Sequence, residues 1–354
     1  MKYDFTSIID RHGKDAIAID DIGRMPGFAP ELPKEGVDPI PMWVADMNFA
    51  TAPSIIKAVS DRLSHPAFGY FSPRDEYFDS IINWHETRNA VTGLGREHIG
   101  YENGVLGGVI SALNVFCSRG DKVLVHSPTY IGFTGSLSNN GYRIISSPLK
   151  PDKDGVWRMD LEDMEKKLKE ECIHAAIMCS PHNPTGRVWE MQELEQAMAL
   201  FRKYDVKVVS DEIWSDIILE NPSGGSCGVG PGSGMPAHIP LQSVSEDARM
   251  RTAAFYAPSK TFNLAGLVGS YHIIYNKTMR ERILKESSLS HYNEMNVLSM
   301  YALIGAYSEE GAAWTDELCS VLSGNVDYAC NYIWKNFSGA KVSRPQGTYM
   351  LFVD

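Results

Sequence analysis

The feature that most constrains the fold is an alternation of short apolar segments with helical patterns between about residues 51 and 290. The apolar segments are often β-branched, which is typical of buried strands. They are Lys122–His126, Tyr142–Ser146, Ala175–Cys179, Val206–Ser210, Thr252–Tyr256 and Ser270–Tyr275. This alternation predicts an α/β fold with a mostly parallel central sheet and helices on both of its faces. A ligand is then expected at the carboxyl ends of the strands.

The two ends of the chain have a different character from this central region. Residues 1–50 are rich in proline, glycine and acidic residues, which predicts an extended arm with little regular structure. Two longer helical patterns follow residue 290, and Lys341–Asp354 then predicts a strand of a second domain. The predicted division is an arm that contributes to a small domain (1–50), a large ligand-binding domain (51–290) and a smaller α+β domain (291–354).

Charge and cysteine content limit the possible partners and location of the protein. The net charge of -11 argues against a general nucleic-acid or membrane-surface binder. No two of the six cysteines form a C-x-x-C pair, so we predict neither a metal site nor a disulfide framework and expect a cytoplasmic location. No signal peptide or membrane-spanning stretch is evident. The Gly/Pro/Ser-rich segment Asn221–Pro236 predicts a long exposed loop.

Two charged residues follow predicted strands at the edge where a ligand is expected. Lys260 lies just after the strand Thr252–Tyr256. A lysine there could form a Schiff base with a carbonyl compound, although a loop lysine is usually only a solvated charge. Asp211 follows the strand Val206–Ser210 and could pair with a protonated pyridine nitrogen. Capping of the next helix explains this aspartate equally well.

Three further motifs could contribute to a ligand site. The first is Ser180–Trp189, in which two prolines and a glycine fix a rigid turn. This turn could present Asn183 for a hydrogen bond to a ligand, or it could be a simple turn without a binding role. Asn103–Gly108 opens an apolar helix, where glycines let backbone N–H groups approach a phosphate, and the Ser259 hydroxyl could bind the same group. Tyr130 is placed to stack on a planar ring or to pack in the core.

Asn183, Asp211 and Lys260 together resemble the catalytic residues of pyridoxal 5'-phosphate (PLP) enzymes of fold type I. Their order and contexts match the class I/II aminotransferases. The sequence is more similar still to one branch, the cystathionine β-lyase or C–S lyase group that includes the maltose-regulon modulator. The matching segments are Pro41–Ala50, Phe68–Tyr70, Ser180–Trp189, Ser210–Ile213 and Ala257–Gly266. The resemblance covers essentially the whole chain.

The resemblance implies a role for each matching residue. Lys260 would bind PLP covalently, Asp211 would hold the pyridine nitrogen, and Asn183 would contact the ring oxygen. Tyr130 would stack near the ring. The other implied contacts are Val105, Leu106 and Ser259 at the phosphate, and Trp43 and Ala45 at the substrate. Tyr70 would act in catalysis by reaching the phosphate or substrate of the neighbouring subunit, which implies a homodimer with shared sites.

The sequence departs from the family pattern at several positions. Asn48 stands where the branch usually has an aspartate, and Trp214 where many aminotransferases have a tyrosine that bonds the ring oxygen. Val268 replaces a phosphate-binding arginine of the aminotransferases that the lyase branch commonly lacks, which favours the lyase interpretation. The arginine that binds the substrate carboxylate in the family is expected beyond Asp354, so none is assigned.

The activity implied by the resemblance is β-elimination from a cysteine thioether such as L-cystathionine, which yields a thiol, pyruvate and ammonia. One alternative is a class I/II aminotransferase, which would use the same lysine and the same carbanion. A second alternative, from another class, is a regulatory binding protein that acts through its surface. The sequence does not indicate which thioether would be preferred.

Overall fold

A seven-stranded sheet forms the centre of the molecule. The computed structural model describes residues 1–220, 238–289 and 292–354, so the predicted loop Asn221–Pro236 lies outside the described residues. The strands are β1 (Ile99–Glu102), β2 (Lys122–Ser127), β3 (Arg143–Pro148), β4 (Lys150–Pro151), β5 (Trp157–Arg158), β6 (Ile173–Cys179), β7 (Lys207–Asp211), β8 (Thr252–Tyr256) and β9 (Ser270–Ile273). β4 and β5 pair with each other outside the main sheet.

The main sheet has the order β1-β9-β8-β7-β6-β2-β3. The run from β8 to β3 is parallel, whereas β9 is antiparallel to both of its neighbours. The predicted mostly parallel sheet is therefore confirmed. The carboxyl ends of the parallel strands meet at one edge, where the turns after β2, β6, β7 and β8 lie.

Helices cover both faces of the sheet, as predicted. They are α1 (Ile17–Asp20), α2 (Pro53–Leu63), α3 (Asp75–Asn89), α4 (Val105–Phe116), α5 (Ile131–Asn139), α6 (Leu161–Glu170), α7 (Met191–Lys203), α8 (Glu246–Arg251), α9 (Lys277–Ser288), α10 (Val297–Ala306) and α11 (Glu309–Asn336). Alternation along β2 shows the two faces, because Val123 and Val125 pack with α4, α5 and α9 while Leu124 packs with α6 and α7.

A third apolar cluster joins the amino-terminal arm to the later helices. Phe5 and Met47 from the arm pack with buried residues of α2, α3, α10 and α11, and stacked rings of Phe262 and Trp314 lie in the same cluster.

Within residues 1–50 the only helix is the single turn α1, as the composition predicted. The domain boundaries at residues 50 and 290 stay predictions. None of the described helices, the 28-residue α11 included, is long and apolar enough to cross a membrane.

The segment 341–354 differs from its prediction. We expected a regular strand there, but the structure shows only isolated bridges, Val342 to Val353 and Ile218 to Gly347. The segment instead docks on the turn after β6, because the N–H groups of Gln346 and Gly347 both donate to the Gly186 carbonyl at 2.8 and 2.9 Å. Docking to a turn rather than to a strand explains why no ladder forms.

Candidate active site

The Lys260 amine is part-buried at the turn that follows β8. Its Nζ donates to the carbonyl oxygen of Ala45 at 3.0 Å and lies 5.7 Å from the centre of the Trp214 ring. Burial lowers the pKa of Lys260, and this effect outweighs the charges of Asp46 and Asp211, which favour the ammonium form. A solvated surface lysine, the alternative interpretation of the motif, is therefore excluded.

Asp211 ends β7 with its carboxyl group almost entirely buried. Burial raises its pKa to about 7, even though the N–H of Ile213 donates to Oδ1 at 3.1 Å and favours the ionised form. The predicted local cap is thus present but occupies one oxygen. Among the described residues the other oxygen has no hydrogen-bond partner, so this carboxylate can still receive a cationic ligand.

The next residue, Glu212, has the opposite environment. Ser210 Oγ and Tyr256 Oη each donate to it at 2.8 Å, the Leu241 N–H donates at 3.1 Å, and His238 Nε2 lies 2.7 Å away. Burial by itself would raise the pKa of Glu212, but these hydrogen bonds and the His238 charge bring it below its ordinary value. Glu212 is therefore an internal structural acid, with all its hydrogen bonds made within the protein.

Asn183 and Tyr130 lie in the turns that follow β6 and β2. The Ser180 N–H donates to the Asp211 carbonyl at 3.0 Å, which fixes the loop of Asn183 to the end of β7. Asn183 is half-buried, and its side-chain amide has no hydrogen-bond partner among the described residues. Burial raises the pKa of the half-buried Tyr130, and the charge of Asp211 adds to the shift, so this hydroxyl shares the electrostatic environment of the carboxylate.

The amino terminus of α4 supplies unpaired backbone donors. Val105 and Leu106 are its first two residues, and the N–H groups of a first helical turn have no acceptor within the helix. Gly104 precedes them with a φ of 86°, a conformation that favours glycine. Ser259, half-buried on the Lys260 turn, has a side-chain hydroxyl without a partner among the described residues. These are donors of the kind that bind a phosphate.

Residues 44–48, called the strap here, lie against the Lys260 turn. The sequence predicted only Ala45 of this segment as a site residue. Asn263 holds the strap, since the Met47 N–H donates to its Oδ1 at 3.2 Å and its Nδ2 donates to the Met47 carbonyl at 2.8 Å. Arg11 forms an ion pair with Asp46 at 2.6 Å. The hydroxyl of Tyr349 donates to the carbonyl of Ala45 at 3.0 Å. Asp46, Asn263 and Tyr349 are thus site residues that the sequence reasoning missed.

Three other residues singled out from the sequence, Tyr70, Trp43 and Val268, have different surroundings. Tyr70 is fully exposed. The Trp43 indole N–H donates to the Ala18 carbonyl at 3.0 Å, and the ring packs on Phe28. Val268 is exposed, with a left-handed φ of 48°. The structure therefore brings together Lys260 and the strand-end residues, and leaves Tyr70 available to a second molecule.

Comparison with known proteins identifies the family. The family model described as aminotransferase class I and II matches residues 38–354. The chain belongs to the class I/II aminotransferase family. Its fold is the fold type I that the strand-end motifs predicted.

Relatives within this family include named lyases. The chain is 32% identical to the cystathionine beta-lyase PatB of Bacillus subtilis over 98% of this chain and 83% of that protein. It is 32% identical to the protein MalY of Escherichia coli over 99% of this chain and 84% of that protein. A solved PLP-bound C–S lyase from Staphylococcus hominis superposes with a TM-score of 0.84 at 30% identity, over 99% of this chain and 82% of that one.

Proposed function

We propose that this protein is a PLP-dependent carbon–sulfur lyase that cleaves cystathionine or a related cysteine thioether to a thiol, pyruvate and ammonia. The observation that carries the proposal is the part-buried Lys260 amine, hydrogen-bonded to the Ala45 carbonyl and with a lowered pKa, at a strand-end site that also contains Asp211. Similarity to the cystathionine beta-lyase PatB and to the C–S lyase supports the lyase over the aminotransferase alternative.

The unpaired polar groups of the site fit the PLP molecule. The open oxygen of Asp211 suits a protonated ring nitrogen, and the free amide of Asn183 suits the ring oxygen. Backbone N–H groups of Val105 and Leu106, with the Ser259 hydroxyl, suit the phosphate. We propose that Tyr130 packs against the ring face and that Trp43 and Ala45 lie beside the substrate. When bound, PLP withdraws electrons from the Cα of the attached substrate.

The protein's own groups would move the protons. Because its pKa is lowered, a larger fraction of Lys260 is neutral near pH 7 than of an ordinary lysine. Once freed from its covalent bond, this amine takes the proton from the substrate Cα, and the electron pair left behind expels the sulfur from Cβ as a thiolate. Asp211, ionised beside a cationic nitrogen, holds that positive charge in place.

A Lys260→Ala variant tests the function directly. We expect the wild-type protein, loaded with PLP, to release pyruvate and free thiol in equal amounts from L-cystathionine. In the variant the rate of pyruvate release should fall at least about 1,000-fold, because water does not replace the lysine amine as covalent and acid–base group. Lys203→Ala, which removes an exposed lysine paired with Glu165, is the matched control.

Two results would count against the proposal. Pyruvate release by Lys260→Ala at the wild-type rate would exclude the assigned role of the lysine. Conversion of bound PLP to its amine form by amino donors, without pyruvate, would favour an aminotransferase instead.

We further propose that two copies of the chain form a dimer and share their sites. Tyr70 is fully exposed, and its neighbours Phe68 and Phe71 are exposed as well. An exposed aromatic run is suited to burial against another protein surface. In this arrangement Tyr70 would reach the site of the partner copy. A cytoplasmic location is proposed from the cysteine usage of the sequence.

A further inference from the structure

The carbonyl oxygen of Ala45 accepts two hydrogen bonds at once. The Lys260 amine and the Tyr349 hydroxyl each donate to it at 3.0 Å. A carbonyl oxygen has two lone pairs, so the two donors do not exclude each other. Either donor alone is enough to keep this part-buried carbonyl from being left without a partner.

The acceptor is held in a fixed position relative to the lysine. Asn263 lies three residues after Lys260 on the same turn, and it binds both the N–H and the carbonyl of Met47 in the strap. The turn is closed by its own backbone hydrogen bond, from Leu264 N–H to the Ser259 carbonyl at 2.9 Å. These hydrogen bonds hold the strap against the Lys260 turn, so the amine can leave the Ala45 carbonyl by a change in the Lys260 side chain alone.

Tyr349 is fixed by a different part of the chain. The N–H of the preceding residue, Thr348, donates to the Ile217 carbonyl at 3.0 Å. The Tyr349 ring meets the Trp214 ring edge to face, with centroids 4.8 Å apart. Burial, with the nearby charge of Asp46, raises the pKa of Tyr349 well above its ordinary value, so the hydroxyl keeps its proton.

We propose that Tyr349 is a positioning residue for Lys260, which keeps the Ala45 carbonyl hydrogen-bonded whenever the lysine amine leaves it to bind the cofactor. With Tyr349 present, departure of the amine removes one of two bonds to that oxygen. Without the hydroxyl, departure leaves a part-buried carbonyl unpaired, which is unfavourable. The proposal deepens the function proposed above and rests on it for the identity of the group that Lys260 reaches.

The surrounding charges make Tyr349→Phe an informative change. Asp46 and Asp211 are the charged groups that act on the Lys260 amine, and both favour its ammonium form. Tyr349 is neutral, so its hydroxyl can be removed without altering either charge. The remaining effect passes through the Ala45 carbonyl, which becomes available to the lysine alone.

The first measurement uses the protein without cofactor. An amine-reactive reagent is applied at several pH values, and modification of Lys260 is followed by peptide mass spectrometry. In Tyr349→Phe the Ala45 carbonyl accepts a hydrogen bond from Lys260 alone, which should stabilise the ammonium form of the lysine. We therefore expect the pH profile of Lys260 labelling to move to higher pH and the labelling rate near pH 7 to fall about five- to tenfold. Tyr3→Phe, which removes a hydroxyl bonded to the Glu310 carbonyl, is the matched control.

The second measurement follows capture of added PLP by its visible absorbance. We expect Tyr349→Phe to form the covalent adduct about five- to tenfold more slowly, and Tyr3→Phe to match the wild-type protein. Unchanged Lys260 labelling together with unchanged PLP capture in Tyr349→Phe would overturn the proposal. Failure of the lyase function would appear differently, as wild-type protein that yields no pyruvate, and the labelling comparison would still decide the role of Tyr349.

Discussion

Asp211 and Glu212 show how two adjacent acids acquire different chemistry. Both are buried at the end of β7, yet Glu212 accepts several hydrogen bonds from side chains and backbone, whereas Asp211 accepts one from Ile213. Burial therefore dominates the pKa of Asp211, and internal hydrogen bonds dominate that of Glu212. The acid with unfilled hydrogen-bonding capacity is the one whose charge acts on Lys260.

The raised pKa of Asp211 predicts a pH-dependent effect on stability. Its folded value of about 7 lies above an ordinary value near 3.9, so between these pH values the folded chain binds more protons than the unfolded chain. The stabilising contribution of Asp211 is complete below about pH 4 and is lost as the pH rises through about 7. In cofactor-free protein, Asp211→Asn should therefore gain stability relative to wild type over this range, by up to about 4 kcal/mol.

Urea unfolding of both proteins between pH 4 and pH 8 measures this difference. The asparagine keeps an oxygen for the Ile213 N–H, so the local turn is preserved. A stability difference that stays constant across the range would show that Asp211 titrates normally. With PLP bound we expect the order to reverse, because the ionised carboxylate then has a cationic partner.

Among the secondary-structure elements, α4 determines where an anion can bind. Its glycines let the helix lie close to the sheet, since a Cβ at Gly108 would come within 2.4 Å of the Phe255 ring and 3.1 Å of the Glu102 carboxyl carbon. Phe255 belongs to β8 and is fully buried, so the ring has no free space to move into. The position of the helix amino terminus thus depends on the absence of a side chain.

Gly108→Ala should displace α4 from the sheet. Overpacking of this kind costs about 1–3 kcal/mol, and we expect weaker PLP binding because the Val105 and Leu106 N–H groups shift with the helix. Thermal unfolding and PLP titration measure the two effects. Gly324→Ala is the control, since Gly324 lies in α11 with open space around it. This substitution should stabilise the fold by about 0.5–1 kcal/mol. Equal stability of the two variants would contradict this account of Gly108.

Local patterns predicted the parallel strands and the residues that follow them. Thr252–Tyr256 matches its predicted bounds, and Lys260 and Asp211 lie at strand ends as expected. The antiparallel direction of β9 was not predicted, because a short strand pattern such as Ser270–Tyr275 carries no information about the direction of the strand. Asn263 and Tyr349 were missed for a related reason, since their roles depend on contacts with the strap, which is more than 200 residues away in the sequence.

At the scale of the whole molecule, the exposed aromatic residues Phe68, Tyr70 and Phe71 form a surface that the described part of the chain leaves uncovered. Phe68 and Tyr70 lie in the irregular segment between α2 and α3, and the Arg62 guanidinium lies 5.0 Å from the centre of the Phe68 ring. Tyr70 makes no hydrogen bond within the described part of the chain. Its proposed role requires a second copy, so the dimer and the activity should depend on each other.

Mixing two inactive variants tests the shared site. Lys260→Ala lacks the covalent lysine, and Tyr70→Ala lacks the residue proposed to enter the partner's site. A mixed dimer would have one site with both defects and one with neither. After equal amounts exchange subunits, we expect about a quarter of the wild-type activity to return. No recovery, despite mixed dimers detected by native mass spectrometry, would mean that Tyr70 acts within its own subunit or not at all.

The meeting of three segments at the Ala45 carbonyl also has a consequence for the order of folding. Lys260 lies 215 residues from Ala45, and Tyr349 lies 304 residues from it. Contacts between such distant residues require closure of long loops and form late, after the locally connected strands and helices have assembled. In a partly folded chain the Lys260 amine is thus not yet held at the Ala45 carbonyl, and both hydrogen bonds to that oxygen form only as the chain completes its tertiary structure.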